Sequence, residues 1–122
     1  MSNIPFFPIG YKWVMQRGLV GYDSFSQLQP WYFVSLDHCF WATERWPCVY
    51  GKRLFVFARR QDNDDLACFV VDDAGMAGQV LIIQGWTSDG FRVIREFPDF
   101  WEWLKGVIDD IAEWVSFDES II

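Results

Sequence analysis

Between residues 54 and 97 the chain repeats one pattern: an apolar run, then a short polar break. The runs are "LFVFARR" (54–60), "LACFVVDD" (66–73), "QVLIIQGW" (79–86) and "FRVIREF" (91–97). The breaks are "QDNDD", a turn at "DAGMAG" and "TSDG". The runs are rich in β-branched and aromatic residues and apolar at nearly every position. They predict strands of a sheet covered at least in part on both faces. Connections this short predict an antiparallel meander. Upstream, "WYFVSL" predicts another strand, Trp31 to Leu36.

After residue 97 the period changes. Phe100, Leu104, Val107, Ile108, Ile111 and Val115 recur at three- and four-residue steps, which predicts a helix from Pro98 to Val115 with those residues as its core stripe. Pro98 suits the first helical position, and Asp99 and Glu102 suit the first turn, where the dipole favours anions. Trp101, Trp103 and Trp114 flank or oppose that stripe. Near the other end, "FPIGYKWVMQRG" predicts a short helix with Pro8 in its first turn and Gly18 past its end. Asp23 or Ser24 is suited to cap a further short turn that Pro30 stops. The stretch from Asp37 to Lys52 has no clear period and carries Pro47, so it predicts a loop with a bulky apolar lining.

Composition narrows the class. A chain of 122 residues, 52% apolar and 20% aromatic, predicts one domain over 1–122 with a substantial core, and excludes disorder. Eight tryptophans are hard to bury completely, since each indole N–H needs an acceptor, so some are expected at the surface. The prolines in "MSNIPFFPIGYKW" predict no secretory leader, and no apolar run reaches the length of a membrane span. Three widely spaced cysteines, Cys39, Cys48 and Cys68, then predict reduced thiols in the cytoplasm.

Charge is distributed unevenly. The whole net charge of −7 falls between Glu96 and Ile122, where eight acids meet one base, Lys105. Such a surface repels a nucleic-acid backbone and attracts and steers a basic protein. It equally serves solubility.

Little in the chain offers catalytic or metal chemistry. In "DNDDLACFVVDD", Asp62, Asp64 and Asp73 fall at the first, third and twelfth positions of a calcium loop. Leu66 stands at the fifth, and Ala67 at the sixth, where glycine is needed. As a catalytic pair, aspartates on a solvated hairpin tip lack the burial that acid–base work requires. His38, Cys39 and Cys48 make only three candidate zinc ligands, without CxxC spacing. The lone histidine has no nucleophile elbow beside it, and no phosphate loop or dinucleotide fingerprint occurs. No cofactor, no metal and no enzymatic activity are expected.

The order and spacing of "LFVFARRQDNDDLACFVV", a turn, "QVLIIQGW" and "REFPDFWEWLKGVIDD" resemble the SUKH superfamily, the group of Smi/Knr-type cell-wall regulators and bacterial immunity proteins. "DFWEWL" (99–104) takes the part of the family's "SFxxWL" closing helix. "IGYKWVMQRGL" is similar to its "LPxxYxxFLxxxNG" opening, with Tyr11 and Gly18 matching. The resemblance implies an α+β fold: an antiparallel, strongly bent sheet of four to six strands packed with an N-terminal and a long C-terminal helix. It also implies a non-enzymatic protein that neutralises a cognate toxin, often a nuclease, by protein–protein contact. The alternative is an intracellular regulatory or scaffolding module of the Smi/Knr type without a toxin partner.

The expected partner is therefore a toxin or other basic protein, with neither nucleic acid nor membrane. Asp109, Asp110 and Glu113 on the closing helix are expected to supply the acidic contact. Trp103, off the apolar stripe, is the expected aromatic anchor, unless it packs against a neighbouring loop. The hairpin at Arg59, Arg60, Asp62, Asp64 and Asp65 is the other candidate surface. There the arginines either meet acids of the partner or neutralise the hairpin's own.

Overall fold

A computed structural model of the chain describes residues 4–23, 26–46, 51–87 and 90–117. The chain is α+β. Its elements are α1 (Ile9–Gln16), β1 (Trp31–Phe33), a 3-10 turn at Leu36–His38, β2 (Phe40–Trp41), α2 (Ala42–Arg45), β3 (Arg53–Arg60), β4 (Asp65–Val71), β5 (Ala77–Thr87), β6 (Gly90–Phe97) and α3 (Phe100–Ser116). The six strands form one antiparallel sheet in the order β1-β3-β4-β5-β6. β1 and β2 lie end to end along the same edge of β3, with Trp31 opposite Arg60 and Trp41 opposite Phe55.

Local chemistry explains the meander. Asn63 Oδ1 accepts from the Asp65 N–H at 2.8 Å, closing the β3–β4 turn, and Asp72 Oδ1 accepts from the N–H groups of Ala74 and Met76 to close the next. Gly75, at φ 85°, supplies the left-handed residue that second turn requires. On β6, Val93 and Arg95 face consecutive residues of β5, so Ile94 is an extra residue in the ladder. A bulge there, among Arg92, Arg95 and Glu96, blunts the sheet's open edge.

Both faces of the sheet are covered, which is why the strand runs are continuously apolar. On one face, α1 and α3 bring Tyr11, Val14, Phe100, Trp103 and Val107 onto Phe55, Phe57, Phe69, Val80 and Ile82. Phe57 stacks on Phe69 with ring centres 4.1 Å apart, and Trp103 meets Phe57 edge-on at 4.9 Å. On the other face, Leu54, Val56, Cys68, Leu81 and Ile83 pack with Ala42 and Phe91, and Phe40 and Trp46 close over them.

Several sequence expectations need correction. α3 begins at Phe100, because Asp99 acts as its cap and accepts the Glu102 N–H at 2.9 Å, which leaves Pro98 outside the helix. The buried stripe of α3 is Phe100, Trp103 and Val107, with Leu104 and Ile111 at its margins; Ile108 and Val115 face solvent. Rotation toward Trp103 buries the largest apolar side chain available. Residues 37–52 are not wholly loop, since β2 and α2 lie there. The first strand is only Trp31–Phe33, and Pro8 precedes α1 instead of opening it. Ser24, Pro47 and Cys48 lie outside the described residues.

Candidate functional site

The hairpin and the closing helix are far apart in sequence, but the sheet order brings them together. Pairing of β1 with the end of β3 sets Trp31 beside Arg60, and the last turns of α3 cross above both. Between them lies a cleft of about 480 Å³ lined by Gln29, Arg60, Asp62, Asp110, Glu113, Trp114 and Phe117.

Arg60 holds Asp62 with two nitrogens, both at 2.8 Å. Burial opposes the Arg60 charge, but the hydrogen bond and charge of Asp62, with Asp110 and Asp65 beyond, outweigh it and raise its pKa. Asp110 accepts the Trp31 Nε1–H at 2.9 Å and an Arg95 N–H at 3.3 Å, and Arg60 lies 3.8 Å away. On the same face of the sheet, Arg92 donates to Gln84 Oε1, and Gln84 Nε2 donates to Asp65 Oδ1 at 3.0 Å. A polar row therefore crosses the end of an otherwise apolar sheet. It satisfies Asp65, the one buried charged residue among those described.

The expected site residues separate accordingly. Arg60, Asp62, Asp110 and Glu113 meet at the cleft. Asp64 and Asp109 are exposed and lie outside its lining, and Asp65 is internal. Arg59 pairs with Leu66 across the β3–β4 ladder, on the face opposite Arg60, since the bulge after Val56 resets the alternation. Trp103 is corrected: at 1% exposure, wedged against Trp31 and Phe57, it is core and presents no surface to a partner. Asp110 is corrected in part, because its carboxylate ties α3 to the sheet instead of standing on an open acidic face.

Sequence reading missed Gln29, Trp114 and Phe117. The last two were findable, since they fall four and seven residues after Asp110 on one side of the helix. Gln29 was not, because only strand pairing brings it there. Among the described residues, the exposed tryptophans are Trp13 and Trp101, and with Ile9 they surround an apolar hollow of about 300 Å³ where α1 crosses α3 at Gly10.

Chemically, the cleft offers carboxylates, one guanidinium, an amide and aromatic walls. It holds no nucleophile paired with a base. No group of three or more His, Cys, Asp or Glu gathers as a metal site among the described residues, and no described helix is long and apolar enough to cross a membrane. Burial raises the thiol of Cys39 to about 12 and pushes that of Cys68 up as well, which makes both poor nucleophiles. Compared with family models, with curated proteins and with solved structures, the chain finds no match, so the likeness to the SUKH superfamily rests on the residues quoted for it.

Proposed function

We propose that the chain is a non-enzymatic binding protein of the cytoplasm. Its partner is a basic protein, of the kind a nucleic-acid-cleaving toxin presents, and it acts as an immunity protein by occupying that partner's basic surface. The observation that carries this reading is the outer side of α3. There Asp109 and Glu113 stand exposed beside Ile108, Val115 and Phe117, with exposed Trp101 about two turns before Ile108. Acids speed encounter with a cationic surface, while exposed aromatics supply the desolvated contacts that hold a complex together. A nuclease needs a cationic surface to hold its substrate, so a protein with this face is complementary to it.

The test begins with capture from the native cell, identification of the retained protein by mass spectrometry, and kinetics with the purified pair. The combined variant Asp109→Asn, Glu113→Gln is expected to associate several-fold more slowly at low salt, with a flatter salt dependence. Unchanged association at low salt would remove the acidic helix from the encounter and overturn the reading.

A further inference from the structure

The cleft beneath α3 sets one guanidinium against three carboxylates, leaving two net negative charges in its lining. Two of the acids are already engaged: Asp62 by Arg60, and Asp110 by Trp31, Arg95 and Arg60. Glu113 has no ion pair among the described residues. Beside it stand Trp114, partly buried, and Phe117, 78% exposed. Of two other cavities, the hollow between α1 and α3 has no carboxylate in its lining, and the one holding Asp72 and Asp73 has no aromatic wall.

We propose that this cleft receives an arginine side chain of the partner, with its guanidinium donating to Glu113 and stacking on Trp114 or Phe117. The inference deepens the binding-protein reading and rests on it. An anion is disfavoured by the lining charge. An apolar group would strip water from Glu113 and give no partner in return. A lysine brings charge but no plane to stack, whereas a guanidinium satisfies both the carboxylate and the rings. The chain already uses the same chemistry internally. Arg45 lies 3.9 Å above the Phe40 ring and Arg53 4.0 Å above Trp41, and Asp110, one turn before Glu113, accepts a guanidinium from Arg95. A volume of about 480 Å³ also leaves room for the stem and part of the backbone that carries it.

The probe is N-acetyl-arginine amide, titrated into the isotope-labelled full chain and followed by the Trp114 indole and the backbone amides of residues 113–117. Saturable shifts centred there are expected, weaker with N-acetyl-lysine amide. Glu113→Gln should loosen binding about fivefold, as loss of one exposed charge-assisted bond does. Asp37→Asn, exposed and outside the cleft, should leave it unchanged. Shifts that are absent, spread evenly along α3, or indifferent to Glu113→Gln would mean diffuse attraction and overturn the proposal. The probe needs no partner, so the two readings fail separately. A basic protein that binds α3 while the probe shows no site overturns the cleft alone. A saturable, Glu113-dependent site in a chain that captures no basic protein supports the cleft and removes the immunity reading.

Discussion

Asp109 and Asp110 are adjacent, chemically identical, and separated by the fold into different tasks. Replacing each with alanine measures that separation. Trp31 is 1% exposed, so no water can stand in for the Asp110 oxygen that accepts its indole N–H at 2.9 Å. Orphaning a buried donor of this kind costs about 1–3 kcal/mol. The Arg60 contact, at 3.8 Å between side chains 18% and 14% exposed, adds about 0.5 kcal/mol, and the more exposed Arg95 adds less. Asp110→Ala should therefore destabilise the domain by about 2–3 kcal/mol, while Asp109→Ala, on the solvent side, should stay within about 0.5 kcal/mol of the parent. Asp110→Asn keeps an acceptor for the indole and loses only charge, so it should fall between them, near 1 kcal/mol.

The assay is urea unfolding followed by tryptophan fluorescence and far-UV dichroism, with slopes required to match before midpoints are compared. A double-mutant cycle with Trp31→Phe should return a coupling of about 1 kcal/mol between residues 31 and 110. Equal midpoints for the two alanine variants would refute the reasoning. So would an asparagine variant as damaged as the alanine one, because the loss would then lie in charge and not in the indole bond.

Three further outcomes follow from the packing. Tyr11 is buried with a hydroxyl that has no hydrogen-bond partner among the described residues, so Tyr11→Phe should be neutral or stabilising by up to about 1 kcal/mol in the same urea assay. A Cβ at Gly85 would overlap the Trp46 ring that closes the second face, so Gly85→Ala should cost about 1–3 kcal/mol and change the near-ultraviolet dichroism while α3 stays intact. Burial raises the Cys39 thiol from 9.0 to about 12, and drives the Cys68 thiol and the Tyr11 phenol in the same direction. Unfolding frees these groups to ionise, so the stability they contribute is complete below about pH 9 and is lost as the pH climbs toward 12; urea midpoints unchanged from neutral pH to about pH 10.5 would contradict this.

The strands β3 to β6 were legible because burial on both faces writes itself as unbroken apolar runs. The two- and four-residue elements β2 and α2 were not, because no periodicity fits in so short a span. They exist through tertiary partners: Trp41 against Phe55 at 5.0 Å, and Trp46 over Gly85. The extent of α3 was legible and its rotation was not. Ile108 and Trp103 both satisfy a helical stripe, and the choice between them depends on the Phe57 and Trp31 rings, which belong to other strands. The polar hairpin was visible in the sequence, and so was the pairing of its arginines with its own acids as one of two outcomes; Arg60 takes it with Asp62. The meeting of that hairpin with the end of α3 follows from sheet order, which no local pattern records.

The same reasoning limits what a charge count can say. All eight acids after residue 95 contribute to the field that a distant cation feels, because steering depends on net charge over about a Debye length. At contact they are no longer equivalent. Glu96 accepts from Gln79, Asp99 caps α3, Glu102 holds Lys105 at 2.7 Å and Asp110 holds Trp31. Asp118 and Glu119 lie outside the described residues. That leaves Asp109 and Glu113 as the described acids of the segment with no partner of their own. Asp109 and Glu113, four residues apart, share one side of α3, whereas Asp110 points about 100° away from Asp109 and is tied to the sheet. A partner would therefore be drawn by the whole segment but read by few of its carboxylates. Substitutions at Glu96, Asp99 or Glu102 should alter encounter through charge alone, whereas those at Glu113 should also change how long the complex lasts.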